Sequence, residues 1–208
     1  MKTEIISSNS SNAIAKALDI LNSGGLVAFP TDTVYGVGAL AYDGDAVESI
    51  YIAKDRPAEK AIPILIGDLE DMEKVGIDIP KAAYKLTARF WPGPLTCIIP
   101  KNLTLPKAVS ASSTVGVRVP DHKVARALLR AAGPMAVTSA NISGQSSPST
   151  AEEVLRQLNG RVPLIIDGGT APGGVPSTVV EFSSDEVKIL REGPIGIGQI
   201  KAALQNAP

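Results

Sequence analysis

The chain has 208 residues, 44% of them apolar, few aromatics, and a formal net charge of −1 from 20 basic and 21 acidic side chains. A chain of that length buries roughly 70% of its extended-chain surface and needs no disulfide or metal staple. The balanced charge argues against a whole-domain basic footprint for nucleic acid, although a local basic cleft stays open.

In chain order, Ser7 to Asn12 is polar and suited to capping a helix. Asn12 to Asn22 places Ile14, Leu18 and Leu21 at helical spacing, and Gly24-Gly25 ends that helix. Leu26 to Pro30 is a short apolar run that predicts a buried strand, and Asp45 to Lys54 predicts a helix through Val47, Ile50, Tyr51 and Ala53. A strand over Ala61 to Ile66 and a helix around Asp68 to Val75 follow. Lys81 to Phe90 is a helix stopped by Pro92-Gly93-Pro94. Leu95 to Pro100 and Val115 to Val119 read as strands, His122 to Ala132 as a helix, and Met135 to Thr138 as a strand. Thr150 to Leu158 is a helix, Leu164 to Asp167 a strand, Ser177 to Phe182 and Val187 to Leu190 a closing pair, and Ile197 to Leu204 a last helix. The alternation predicts an α/β domain, and its short strands and closing pair predict a mixed parallel and antiparallel sheet flanked by helices.

Several chemistries fail on inspection. No Gly-Lys pair exists, so there is no Walker A loop. Gly36-Val-Gly38-Ala-Leu-Ala41 matches G-x-G-x-x-A, with Asp55 downstream, but Thr31 to Tyr35 separates it from the preceding strand; tight turns and close packing are the plainer use of these glycines. His122 is the only histidine, and it reads as a surface-loop residue rather than a triad member, since Asp121 is adjacent and no G-x-S-x-G elbow occurs. One histidine and one cysteine cannot build a zinc site, so no metal ligands are expected. Cys97 alternates within an apolar strand and is expected to be a buried thiol. A lone cysteine fits a reducing, cytoplasmic setting. The absence of a basic-then-apolar start or any apolar run near ~20 residues predicts neither a secretory signal nor a membrane span.

What remains is polar and basic groups at strand ends and in loops. These are Thr31, Asp32, Thr33 and Tyr35; Lys54, Arg56 and Lys60; Thr114 and Arg118; Thr138, Ser139, Asn141, Ser143 and Ser147; and Ser177, Thr178 and Arg191. Ligands of open α/β sheets gather at strand ends. Several cations among hydroxyls suit a phosphate together with a carboxylate, although each cation alone is more often a solvated surface residue.

PTDTVYGVGALA (30–41), AKDRPAEKAIPILI (53–66), FWPGPLT (90–96), VGVRVPDH (115–122), TSANISGQSSPST (138–150) and PSTVVEF (176–182) together resemble the YrdC/Sua5 family, from about Gly24 to Gly193. The extra C-terminal domain of longer relatives looks absent. The expectation is therefore one YrdC-like domain over 1–208, with its core at about 12–193 and a sheet curved around a positively charged concave cleft. The resemblance implies synthesis of L-threonylcarbamoyl-AMP and pyrophosphate from ATP, L-threonine and bicarbonate or CO2, with Mg2+ accompanying ATP and no tightly bound cofactor. A separate transferase complex would place the product on adenosine 37 of tRNA, giving t6A.

By the same resemblance Lys54, Arg56 and Arg118 carry the catalytic roles. Arg56, Lys60, Thr114, the Val137 backbone, Ser139, Asn141, Ser147 and Arg191 bind ATP. Thr31, Thr33, Tyr35, Arg118 and Thr178 bind L-threonine. Many relatives have Asn and His where this chain has Lys60 and Leu65; Lys60 is expected to replace the Asn on phosphate, and Leu65 has no polar role. Two alternatives remain: a YrdC-fold protein that binds tRNA or double-stranded RNA, and a paralogue without synthase activity.

Overall fold

The computed structural model describes residues 2–172, 175–182 and 187–205. Its elements run β1 (Glu4–Ser7), α1 (Ala13–Asn22), β2 (Val27–Phe29), β3 (Gly36–Leu40), α2 (Gly44–Lys54) and β4 (Ile64–Leu65). A 3-10 turn (Leu69–Asp71) leads into α3 (Met72–Val75), followed by α4 (Lys81–Phe90), β5 (Leu95–Pro100), β6 (Thr114–Arg118), α5 (Lys123–Ala132) and β7 (Met135–Ser139). The chain closes with α6 (Ala151–Leu158), β8 (Leu164–Asp167), β9 (Thr178–Phe182), β10 (Val187–Arg191) and α7 (Ile197–Gln205). The strands form one sheet in the order β1-β8-β2-β3-β7-β4-β6-β5-β9-β10. Pairing is parallel for β1/β8, β2/β8, β4/β6 and β5/β9, and antiparallel for the rest, so the sheet is mixed, as expected.

Local chemistry sets the helix ends. Asp43 caps α2 by accepting from the Ala46 amide at 3.0 Å, and Asp55 ends it in the left-handed region at φ 49°. Thr150 caps α6 by accepting from the Glu153 amide at 3.2 Å, while the Glu153 carboxylate accepts from the Ser149 amide at 2.6 Å. These are the reciprocal bonds that a helix start needs for its free N–H groups.

Two strands differ from the sequence reading. β1 is short and mostly exposed, and it exists because β8 offers it a parallel edge. β3 contains the glycines of the G-x-G-x-x-A match. They lie within a strand paired with β7, Gly36 opposite Ser139 and Gly38 opposite Val137. A Cβ on Gly38 would sit 2.7 Å from both the Ala136 carbonyl oxygen and Val137 Cγ2, so close approach is what excludes a side chain there.

Alternation along the strands divides the core in two. Ala28, Ile64, Cys97, Val117, Ala136, Ile165 and Val180 face one cluster beneath α2, α4 and α6. Val27, Phe29, Leu65, Met135, Val137, Leu164 and Ile166 face the other, beneath α1 and α5. Cys97 is buried, as expected, and burial pushes its thiol pKa up. The first face is covered along the sheet. On the second face α1 and α5 cover the β8-β2-β3-β7-β4 half, and among the described residues no helix covers the side chains of β6, β5 and β9 that point that way.

Candidate functional site

That uncovered half of the second face holds a cavity of about 340 Å³. Its floor comes from alternate strand positions: Leu65 of β4, Thr96 and Ile98 of β5, Gly116 and Arg118 of β6, Val137 and Ser139 of β7, and Val179 of β9. Thr31 and Thr33 from the turn after β2, Arg56 from the turn after α2, Ser177 and Arg191 form the rim. Gly116 keeps the floor open: a Cβ there would lie 3.0 Å from Thr96 Cγ2 and 3.3 Å from Pro63 Cβ. Among the described residues no Asp or Glu lines the cavity, whereas three guanidiniums do.

Each guanidinium is held by a different set of acceptors. Arg56 donates through Nε to the Lys60 carbonyl at 3.1 Å and through Nη2 to the Ala61 carbonyl at 2.9 Å. Arg191 donates to the Ser177 carbonyl at 2.8 and 3.0 Å and to Ser177 Oγ at 3.0 Å, and Ser177 Oγ shares a 2.8 Å bond with Thr96 Oγ1. Arg118 is buried; it donates through Nε to the Gly93 carbonyl at 2.9 Å, through Nη1 to Thr33 Oγ1 at 3.0 Å, and through Nη2 to the Asp32 carboxylate. Burial pulls all three guanidinium pKa values down, but an arginine stays charged at neutral pH. Thr31 Oγ1 stiffens the rim by donating to the Val34 carbonyl at 2.7 Å and accepting from the Thr33 amide at 3.1 Å.

The structure thus brings Thr31, Thr33, Arg56, Arg118, Val137, Ser139 and Arg191 around one space. Other candidates lie outside its lining. Lys54 is buried at the end of α2, and its Nζ donates to the carbonyls of Ser139 and Asn141 behind the cavity wall. Its own carbonyl accepts from the Ser143 amide at 2.8 Å, so the end of α2 clasps the loop after β7 from both directions. Asn141 braces the same loop by donating from Nδ2 to the carbonyls of Ile142 and Gln145, each at 2.9 Å, while its buried Oδ1 has no hydrogen-bond partner among the described residues. Ser147 lies farther along that loop, half-buried. Tyr35 is fully buried, with its hydroxyl donating to the Gly169 carbonyl at 2.6 Å, so it ties the rim turn to the end of β8. Lys60 is exposed. Thr114 shares the face of Gly116 and Arg118 but sits two residues farther along β6, bonded to Ser112 Oγ at 3.2 Å.

Thr178 points to the opposite face, where its Oγ1 donates to the Ile195 carbonyl at 2.9 Å and accepts from the Ile195 amide at 3.0 Å. Its neighbour Ser177 reaches the cavity instead. Ser177 belongs to the candidate group with Thr178 and Arg191 but was given no binding role, and Thr96 was not a candidate; alternation along β5 with Ile98, and along the chain into β9 with Val179, is the signal that finds them. His122 departs from a surface-loop residue: it is the N-cap position of α5, its buried Nδ1 has no hydrogen-bond partner among the described residues, and burial pulls its pKa down.

The family model described as Telomere recombination (Sua5_yciO_yrdC) matches residues 19–193. The threonylcarbamoyl-AMP synthase of Bacillus subtilis is 43% identical over 194 residues, spanning 92% of this chain and 56% of that protein. The chain therefore spans little more than half the length of this relative. A crystal structure of Pyrococcus abyssi Sua5 complexed with L-threonine superposes with a TM-score of 0.93 at 40% identity, covering 97% of this chain and 61% of that one. A crystal structure of E. coli YciO does so with a TM-score of 0.86 at 29% identity, covering 95% and 99% respectively.

Proposed function

The chain belongs to the Sua5/YciO/YrdC family, and from that premise we propose that it forms L-threonylcarbamoyl-AMP and pyrophosphate from ATP, L-threonine and bicarbonate or CO2. The observation that carries this reading is the trio Arg56, Arg118 and Arg191 around one cavity with no lining carboxylate. Such a lining favours a polyanion and a carboxylate together. Threonine's amine adds to the carbon of CO2 or bicarbonate, giving a carbamate with loss of a proton or of water. A carbamate oxygen then attacks the α-phosphorus, and the bond to pyrophosphate breaks. Reactions of this kind depend on positioning and charge stabilisation more than on an acid–base pair.

In this scheme Arg56 and Arg191 offset the charge of the triphosphate, which enters with Mg2+ on its own oxygens. Arg118 and Thr33 hold the amino-acid carboxylate. Ser139 and the Val137 backbone contact the nucleotide, while Lys54 and Asn141 act indirectly by fixing the loop that carries Ser139. The product would pass to a separate transferase for t6A formation at position 37 of tRNA. The deciding experiment measures pyrophosphate release by purified protein with ATP, Mg2+ and bicarbonate, with and without L-threonine. Release that rises at least about tenfold with threonine, and that also needs bicarbonate, is expected. Intact folding and nucleotide binding without such release would favour an RNA-binding protein or an inactive paralogue.

A further inference from the structure

The three arginines are not electrically equivalent. Arg56 and Arg191 rest on neutral acceptors, the carbonyls of Lys60, Ala61 and Ser177 and the Ser177 hydroxyl, so each presents a full positive charge. Of the three, and among the described residues, Arg118 alone has a carboxylate partner, Asp32. The pair is largely out of water, with side-chain exposures of 6% for Arg118 and 12% for Asp32, so solvent and salt screen it weakly. Arg118 and Arg191 line the same cavity, and the Arg118 pKa is pulled down first by burial and, to a lesser degree, by the nearby Arg191 charge. Without Asp32 the two guanidiniums would form one continuous cationic surface. His122 also lies within electrostatic reach of Asp32, and burial pulls its pKa down.

We propose that Asp32 is a specificity-determining residue that divides the cavity by charge. Its carboxylate neutralises Arg118, making that corner a seat for a net-neutral amino acid and a poor seat for a polyphosphate. Asp32 does not line the cavity, so it acts through Arg118 rather than by touching the ligand. The guanidinium has five N–H groups. Three have protein acceptors here, on Gly93, Thr33 and Asp32, which leaves N–H groups for a carboxylate. A zwitterion loses no long-range attraction at a neutral pair, whereas a triphosphate gains it only beside Arg56 and Arg191. The inference rests on the reading that ATP and threonine share this cavity.

Titration calorimetry tests it directly. The dissociation constant of L-threonine is measured with and without inorganic tripolyphosphate for the wild type, Asp32→Asn and Asp32→Glu, each checked for folding by thermal melting. In the wild type and in Asp32→Glu, which keeps the charge, tripolyphosphate is expected to change threonine affinity by less than about twofold. In Asp32→Asn it should weaken threonine about tenfold, because the polyanion then also occupies the Arg118 corner. Asp32→Ser serves the same comparison if the Asn variant does not fold. Competition already present in the wild type overturns the proposal, as does an Asp32→Asn protein as indifferent to tripolyphosphate as the wild type. A wild type that binds no threonine in either buffer instead rejects the synthase reading, and this inference with it.

Discussion

Lys54 is a cation by type whose surroundings favour the uncharged amine. Its two carbonyl partners match the two N–H groups of an uncharged amine, and burial, with Arg56 nearby, pushes its pKa down to about 7. In the unfolded chain it titrates near about 10.4. Between those values the unfolded state holds a proton that the folded state lacks, so folding gains stability as pH rises from 7 towards 10, by at most about 1.4 kcal/mol per pH unit. Urea unfolding of the wild type and Lys54→Met at pH 7, 8.5 and 10 should therefore show the wild type gaining on the variant at each step. A constant difference would mean the ammonium stays charged when folded. The sequence revealed which residue types gather near the site but not where each one points. Lys54 and Thr178 have polar groups committed to the backbone, and only the strand register separates Thr178 from the cavity-lining Ser177.

At the scale of elements, helices with periodic apolar faces and clear stops were legible almost to the residue, as Lys81–Phe90 before Pro92-Gly93-Pro94 shows. β1 and β3 were not. A four-residue strand with mostly exposed side chains has no periodic signature, and glycines in GVGAL read as turn formers until a neighbouring strand needs their missing side chains. Gly116 is the counterpart on the cavity floor. Gly116→Val should cost about 1–3 kcal/mol by overpacking against Thr96, Ile98 and Pro63. The added methyls would also intrude on the cavity, so nucleotide affinity should fall by at least about tenfold while the protein still melts cooperatively. An unchanged affinity would move the binding surface away from this floor.

For the molecule as a whole, an α/β sheet with helices on both faces follows from the alternation of elements, but the half-bare second face does not. That asymmetry depends on which helices return to which strands, and no local pattern encodes it. It separates stability from chemistry. Leu128 of α5 is fully buried in the cluster that covers one half of that face. Leu128→Ala should cost about 2–5 kcal/mol and lower the melting temperature by several degrees, with ligand affinity at 25 °C little changed. Calorimetric melting and ligand titration on the same sample check both parts, and an affinity loss matching the stability loss would show the halves to be coupled.

The sheet order also bears on synthesis. β1 and β2 both pair with β8: Glu4 and Val27 each stand opposite Leu164. During synthesis β1 therefore emerges from the ribosome with no edge to join, and β2 lacks one of its two neighbours, until the chain has been extended to Leu164. Through that interval the apolar side chains of Val27 and Phe29 have no β8 to pack beside, so this end of the sheet is the part most exposed to chaperone capture during translation.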